Sequence, residues 1–319
     1  MQFITRAYNS FEIDSSNLSV VIKRSKETRL LEEIGYYDNL PKELAPFFPR
    51  HFHSDKIGPE FRLGLEYYAY QNVGNKMISH EYDDEFWNSF FNIIGKYFKA
   101  YKSITESPKN ENDCRMMFID KTEKEYQSLV DNFMFFGELT SHDTINLNGR
   151  KLRSFSHVWP KVRSYIDGSC LSEKTYLIHG DLCFSNILFG QNPINNDVII
   201  KLIDPRGSFG GSMLGDMYYD LAKLSHSSSG GYEYFINDSF EVKSDGNKCT
   251  LSYDNDNKDR VNDLFIKFVE DNEFDMKKIK TLEGAIFIGM CARHYDSPER
   301  QKAMFLTGLR ILNDIYETV

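Results

Sequence analysis

The run "YLIHGDLCFSNILFG", Tyr176 to Gly190, ends a short apolar segment in His-Gly-Asp and places an asparagine five residues after the aspartate. Eighteen residues separate that Asn186 from Asp204, where "VIIKLIDPRG" ends a second apolar segment in a carboxylate. Phosphoryl transfer from a nucleoside triphosphate needs a carboxylate near the attacking hydroxyl, oxygen ligands for magnesium and a cation on the phosphates. Asp181 supplies the carboxylate and Asn186 an amide oxygen for a metal. Asp204 is a natural second ligand, because a carboxylate at a strand end projects into a cleft. Polar residues gathering in turns would explain either piece alone. The two together, at this spacing, are far more specific.

Outward from these motifs the chain divides by character. Toward the N-terminus, "FITRAYNSFEI" and "LSVVIKRS" read as strands around a "DSSN" turn, and "FRLGLEYYAYQ" as another strand. Between them, "SKETRLLEEIGYYDNLP" reads as a helix, with Leu30, Ile34 and Tyr37 on one face and Pro41 as its stop. After about residue 75 helices take over. "DDEFWNSFFNIIGKYFKAYKSI" carries a stripe through Phe86, Phe90, Ile94, Tyr97 and Tyr101. Helices are also expected over Arg115 to Glu138 and Ser154 to Ile166, and three more from about Lys258 to the end. Short strands are expected at "TYLI", "NILF" and "DVIIKLID". The expected fold class is α+β, with a small β-rich lobe (1–72) and a larger helical lobe (73–319) that carries the polar motifs on loops.

Bulk properties narrow the function. The 319 residues suit two lobes, and the formal net charge of −9 argues against a nucleic-acid binder or a protein held on anionic lipid. No segment is long and apolar enough to span a bilayer; "GAIFIGMCA" reads as a buried helix. The start has no leader-like pattern, and five cysteines lie scattered without a CxxC pair. Both suit a reducing cytoplasm. Cys183, inside the deciding run, is expected to be a buried spacer rather than a nucleophile.

The motifs His179-Gly180-Asp181, Asn186 and Ile203-Asp204 resemble the aminoglycoside phosphotransferase and choline kinase family, relatives of the protein kinases. The resemblance spans roughly Lys23 to Leu224 and implies a two-lobed, protein-kinase-like fold. It implies that Asp181 is the catalytic base, that Asn186 and Asp204 hold Mg2+, and that His179 orders the loop. "GDMYYDLAKL" resembles the family's helix start, with Asp216 and Asp220 bracing the catalytic loop from behind. The resemblance also implies a strand lysine on the phosphates and a helix glutamate to hold it. Lys23, after three apolar residues, takes the first role. Glu33 rather than Glu32 takes the second, because it shares the inward face of Leu30, Ile34 and Tyr37.

Two departures stand out. The early hairpin has no glycine, so Asn9 and Ser10 become the candidates for holding phosphates, and ATP against GTP stays open. "EYYAY", Glu66 to Tyr70, resembles the segment between the lobes where the base binds, with Tyr68 at its centre. The second departure is "DPRG". Arg206 either stabilises phosphate or an anionic substrate, or forms a structural salt bridge. In "LSHSSSGGYEY", read as a polar loop, His226 and Tyr232 are candidate acceptor contacts. Arg293 and His294 read as ordinary charges at a helix end. The implied activity is transfer of a γ-phosphoryl group to a hydroxyl of a small metabolite: a sugar, polyol or amino alcohol. A protein kinase and a catalytically inactive nucleotide-binding scaffold are the alternatives.

Overall fold

The structure, a computed structural model, describes residues 9–79, 84–104, 107–108, 115–192, 194, 197–208, 212–254 and 256–319. Strand β1 (Asn9–Ile13) and β2 (Val20–Ser25) form a hairpin, and residues 3–8 of the expected first strand lie outside the described residues. The turn is held by Asp14, whose carboxylate accepts from the Ser16 N–H and hydroxyl. Helix α1 (Arg29–Asp38) follows, then β3 (His51–Ile57) and β4 (Glu60–Glu66), in an antiparallel sheet ordered β1-β2-β4-β3. Helix α1 lies on this sheet with Leu30, Glu33, Ile34, Tyr36 and Tyr37 buried.

Residues 67–70 have no regular structure and carry the chain out of this sheet. They lead to β5 (Gln71–Asn72), α2 (Val73–Ser79), α3 (Asp84–Lys102) and β6 (Ser107–Pro108). A wide helical turn at Met116–Asp120 runs into α4 (Lys121–Asn132), followed by α5 (Met134–Thr140), β7 (Thr144–Leu147), β8 (Arg150–Arg153) and α6 (Phe155–Tyr165). The motif-bearing strands come next: β9 (Lys174–Leu177), β10 (Ile187–Gln191), β11 (Val198–Leu202) and β12 (Leu214–Gly215). The rest is α7 (Met217–Ser228), α8 (Tyr232–Ile236), the β13 (Phe240–Asp245) and β14 (Lys248–Tyr253) hairpin, α9 (Asp256–Asp271), α10 (Met276–Ile288) and α11 (Pro298–Tyr316). This is a two-lobed α+β architecture. No helix among the described residues is long and apolar enough to cross a membrane.

Aromatic packing sets the site on a firm base. The stripe on α3 is wider than its periodicity suggested, with Trp87, Phe91 and Phe98 buried beside the expected five residues. Trp87 and Phe90 lie 5.5 and 5.4 Å, centroid to centroid, from Phe184 in the motif loop, and Tyr101 stacks on Tyr176 at 5.3 Å. Each such side chain contributes about 1.5–3 kcal/mol by leaving water. The loop therefore sits on a floor that resists displacement.

Three expectations need correction. Strand β3 was not foreseen, because most of its side chains are exposed at the sheet edge and show no apolar alternation. The second sheet, ordered β13-β14-β7-β8, was also missed, although its turns were legible. Asn148-Gly149 and Gly246-Asn247 are the hairpin-turn pairs, and Asn148, Gly149 and Gly246 have φ of 52°, 84° and 53°. Finally, "SHSS" is no loop. Ser225, His226, Ser227 and Ser228 form the buried last turn of α7.

Candidate active site

Strand β9 delivers the chain to His179, and the next residue must turn sharply. Gly180 has φ 77°, a conformation costing a side-chain-bearing residue about 1–2 kcal/mol. The turn is gripped from behind. The His179 and Gly180 N–H groups each donate to a carboxylate oxygen of buried Asp220 at 2.8 Å. Burial pushes the Asp220 carboxyl up to about 7, against the pull of those two donors. Buried Asp216 caps α7 by accepting from the Tyr218 N–H at 2.8 Å, and also takes both the N–H and hydroxyl of Ser172.

His179 is wholly buried, stacked 6.0 Å from Phe48. Its Nδ1 accepts from the Asp181 N–H at 3.2 Å, so the ring proton sits on Nε2 and goes to the Ile203 carbonyl at 3.0 Å. One neutral ring thus links the Asp181 loop to the strand end before Asp204. Burial lowers its pKa to about 4, so it stays neutral near pH 7. Arg206 reinforces the link, its N–H donating to the His179 carbonyl at 2.8 Å.

The buried end of α7 holds the other side of the loop. The Phe184 N–H donates to Ser227 Oγ at 3.0 Å, and Ser227 donates to Glu233 at 2.7 Å. The Ser185 N–H donates to the same glutamate oxygen at 3.2 Å. Ser227 and Glu233 were not singled out from the sequence. Cys183 is buried, as expected, and burial raises its pKa far from any thiolate role.

Lys23 on β2 and Glu33 on α1 meet at 2.6 Å, and Glu32 lies on the exposed face. Lys23 also reaches Asp204 Oδ1 at 2.8 Å, across 181 residues of chain. Burial alone would discharge this lysine; Asp204 and then Glu33 outweigh it and hold its pKa above the ordinary value. Glu33 is raised to about 7 by burial, with Lys23 opposing. Asp204 itself has φ 55°, an unusual backbone state that turns its half-exposed carboxylate out of the strand direction. Three residues on, Gly207 lies so close to α1 that a Cβ there would sit 2.4 Å from the Glu32 carbonyl.

The donor set suits Mg2+. The Asn186 amide nitrogen donates to the Asp181 carbonyl at 2.9 Å, which leaves the amide oxygen for a cation. With the Asp204 carboxylate this makes a pair of hard oxygen donors, the usual protein share of a magnesium site completed by phosphate and water. Asn9 and Ser10 open β1 opposite Ser25 and Arg24, beside Phe11, whose ring lies 5.7 Å below the Lys23 ammonium. Tyr68 stands in the irregular connector, its hydroxyl donating to Glu66 at 2.8 Å.

Asp181 carries a partner the sequence did not suggest. Lys223 on α7 lies 2.8 Å from Asp181 Oδ1 and is itself buried. Its signal was present, two turns into "GDMYYDLAKL", but helical position alone does not reveal what a lysine faces. Burial lowers the Lys223 pKa; Asp181, then Tyr219 and Cys183, reverse the shift. The Arg206 guanidinium reaches toward the Tyr219 hydroxyl at 3.5 Å. His226 is wholly buried, its ring between Tyr232 at 4.3 Å and Phe287 at 3.8 Å, with Tyr232 almost as deep.

No protein-family model and no curated protein matches the sequence. Solved structures do match the fold. The GDP complex of aminoglycoside 2'-phosphotransferase-IIIa aligns over 99% of this chain and 91% of its own, at 12% identity and a TM-score of 0.59. Aminoglycoside phosphotransferase APH(4)-Ia aligns over 100% and 93%, at 8% identity and a TM-score of 0.59. ADP-bound APH(2'')-Ib aligns over 98% and 93%, at 12% identity and a TM-score of 0.53. The chain thus has the two-lobed, protein-kinase-like fold of the aminoglycoside phosphotransferases.

Proposed function

We propose that this chain is a small-molecule kinase, transferring the γ-phosphoryl group of ATP or GTP to a hydroxyl. The observation that carries the reading is Lys23, placed between Glu33 and Asp204 at 2.6 and 2.8 Å. It brings a candidate cation for the phosphates to a candidate metal ligand, and His179 ties the strand end before Asp204 to the Asp181 N–H. The GDP and ADP complexes among the matching structures support a nucleotide as the donor.

Asp181 accepts a hydrogen bond from the acceptor hydroxyl and takes its proton as the oxygen attacks phosphorus in line. Lys223 holds the Asp181 carboxylate in place for this role. Lys23 offsets charge on the phosphates. Asn186 and Asp204 hold magnesium, which when bound neutralises charge on the β- and γ-phosphates. Most of the rate comes from positioning and preset charge rather than covalent chemistry. The acceptor skeleton is that of a sugar or polyol.

The test is nucleotide consumption with magnesium against pooled hydroxyl compounds. Asp181→Asn is expected to lower kcat by about 10²–10⁴-fold and leave nucleotide affinity within a few-fold. Turnover like the parent protein's would remove Asp181 from its role. Asp204→Ala is expected to weaken binding of the magnesium–nucleotide complex; unchanged affinity would count against its place in the site.

A further inference from the structure

Helix α7 meets the Asp181 loop through three residues on one of its faces. Asp220, Lys223 and Ser227 follow one another at spacings of three and four, so their side chains leave the helix on the same side. Asp220 accepts from the His179 and Gly180 N–H groups at 2.8 Å, and Ser227 Oγ accepts from the Phe184 N–H at 3.0 Å. These contacts hold the loop backbone on either side of Asp181. Lys223 stands between them and differs in kind. Its ammonium goes to a side chain, Asp181 Oδ1, at 2.8 Å.

Holding the loop does not account for this lysine, because its two neighbours on the helix already do so. Stability does not account for it either: apolar residues of similar volume are often as stable as a buried ion pair. Nor does the pair make Asp181 a better base. A cation this close favours the ionised carboxylate and weakens its pull on a hydroxyl proton. Phosphoryl transfer through a loose transition state asks little of that pull and much of the charge around the moving group. Lys223 is poorly placed to help take a proton and well placed to meet a phosphoryl oxygen.

The distances agree. An acceptor oxygen held by Asp181 lies about 2.6–3.2 Å from its carboxylate. Phosphorus approaches that oxygen to about 3–3.5 Å before reaction. The phosphoryl oxygens therefore enter the space beside the Lys223 ammonium, at the mouth that leaves 24% of the Asp181 side chain exposed. An ammonium has three N–H donors, and Asp181 is the one carboxylate paired with this one among the described residues. Behind it the Tyr232 ring lies 5.7 Å from Nζ and stacks on His226 at 4.3 Å. A ring face steadies the charge without accepting a conventional hydrogen bond from it.

We infer that Lys223 is a catalytic residue, its ammonium donating to an oxygen of the transferring phosphoryl group while Asp181 holds the acceptor hydroxyl. This rests on the kinase reading above and deepens it. The acceptor oxygen bonds to phosphorus, and the bond from phosphorus to the β-phosphate oxygen breaks, leaving its electron pair on that oxygen. The hydroxyl proton passes to Asp181, and Lys223 keeps its own protons throughout. Two lysines then flank the moving group, Lys23 on the donor side and Lys223 on the acceptor side.

The experiment separates a lysine that acts on the phosphoryl group from one that only orients Asp181. Affinities for ADP and GDP with magnesium are measured with and without fluoroaluminate, which takes the place of the phosphoryl group, in the presence of pooled sugars, polyols and amino alcohols. Fluoroaluminate should tighten diphosphate binding in the parent protein. Lys223→Met should lose about tenfold or more of that tightening, with affinity for the diphosphate alone within a few-fold. The loss should persist when Asp181→Asn is added, and Lys223→Arg should recover part of it. Lys223→Gln, uncharged but polar, should behave as Lys223→Met does and replaces it if the methionine variant does not fold. Full tightening in Lys223→Met or Lys223→Gln overturns the inference. So does a loss that disappears in the Asp181→Asn background, which would confine Lys223 to positioning Asp181. No tightening in the parent with either nucleotide, together with no turnover in any pool, overturns the kinase reading and this inference with it.

Discussion

Around Lys23 one cation meets two carboxylates, Glu33 at 2.6 Å and Asp204 at 2.8 Å, whereas at Asp181 a carboxylate meets the buried Lys223 at 2.8 Å. The first region has an acid in excess; the second sets a buried cation against an acid. The first lacks the charge that its proposed ligand, magnesium, would bring. Buried or half-buried charge without a counter-ion is costly. Matching the first region's imbalance to magnesium would turn that cost into selectivity.

The comparison breaks first at Lys23. Lys23→Met leaves Glu33 buried without its cation and is expected to cost about 3–5 kcal/mol in urea unfolding, along with nucleotide affinity. Adding Glu33→Leu should recover most of the stability and none of the affinity. If the single variant is as stable as the parent, the pair is not holding α1 to the sheet. Lys223→Met probes the other region. It should lower kcat about tenfold or more while nucleotide affinity stays within a few-fold. An equal loss of nucleotide affinity would merge the two regions into one.

Smaller effects sharpen the support beneath them. Ser227→Ala removes the acceptor of the Phe184 N–H and a donor to Glu233, for an expected loss of about 1–3 kcal/mol. No change in urea unfolding would show that the loop does not depend on α7 there. His179 gives the smallest signal, a titration midpoint. Its folded pKa, about 4, lies below the ordinary 6.5. Between those values the unfolded chain binds a proton that the folded chain does not. This contribution to stability is therefore whole above 6.5 and fades as pH falls toward 4. An imidazole resonance titrating at 6.5 would mean the ring is solvated and does not bridge Asp181 and Ile203.

Legibility followed the range of the forces involved. The α3 stripe, the α1 face that chose Glu33 over Glu32, and the paired aspartates were readable because local periodicity or short spacing encodes them. Strand β3 was not, since an exposed edge has no apolar pattern to read. The second sheet shows a different failure. Its Asn-Gly and Gly-Asn turns are in plain view, but the short strands they join carry little apolar pattern of their own. "SHSS" failed for a physical reason. Serines look like loop residues, yet here Ser225 and Ser227 spend their hydroxyls on buried Glu283 and Glu233, which lets a polar helix end lie in the core.

By itself the sequence determined the two-lobed architecture and singled out Asp181, Asn186 and Asp204 as candidates, because both rest on short-range patterns. Only the tertiary structure decided which charges face one another. Lys223 beside Asp181, and Lys23 beside Asp204, join residues far apart in the chain. Coulomb interactions depend on distance through space, and sequence separation carries little record of it.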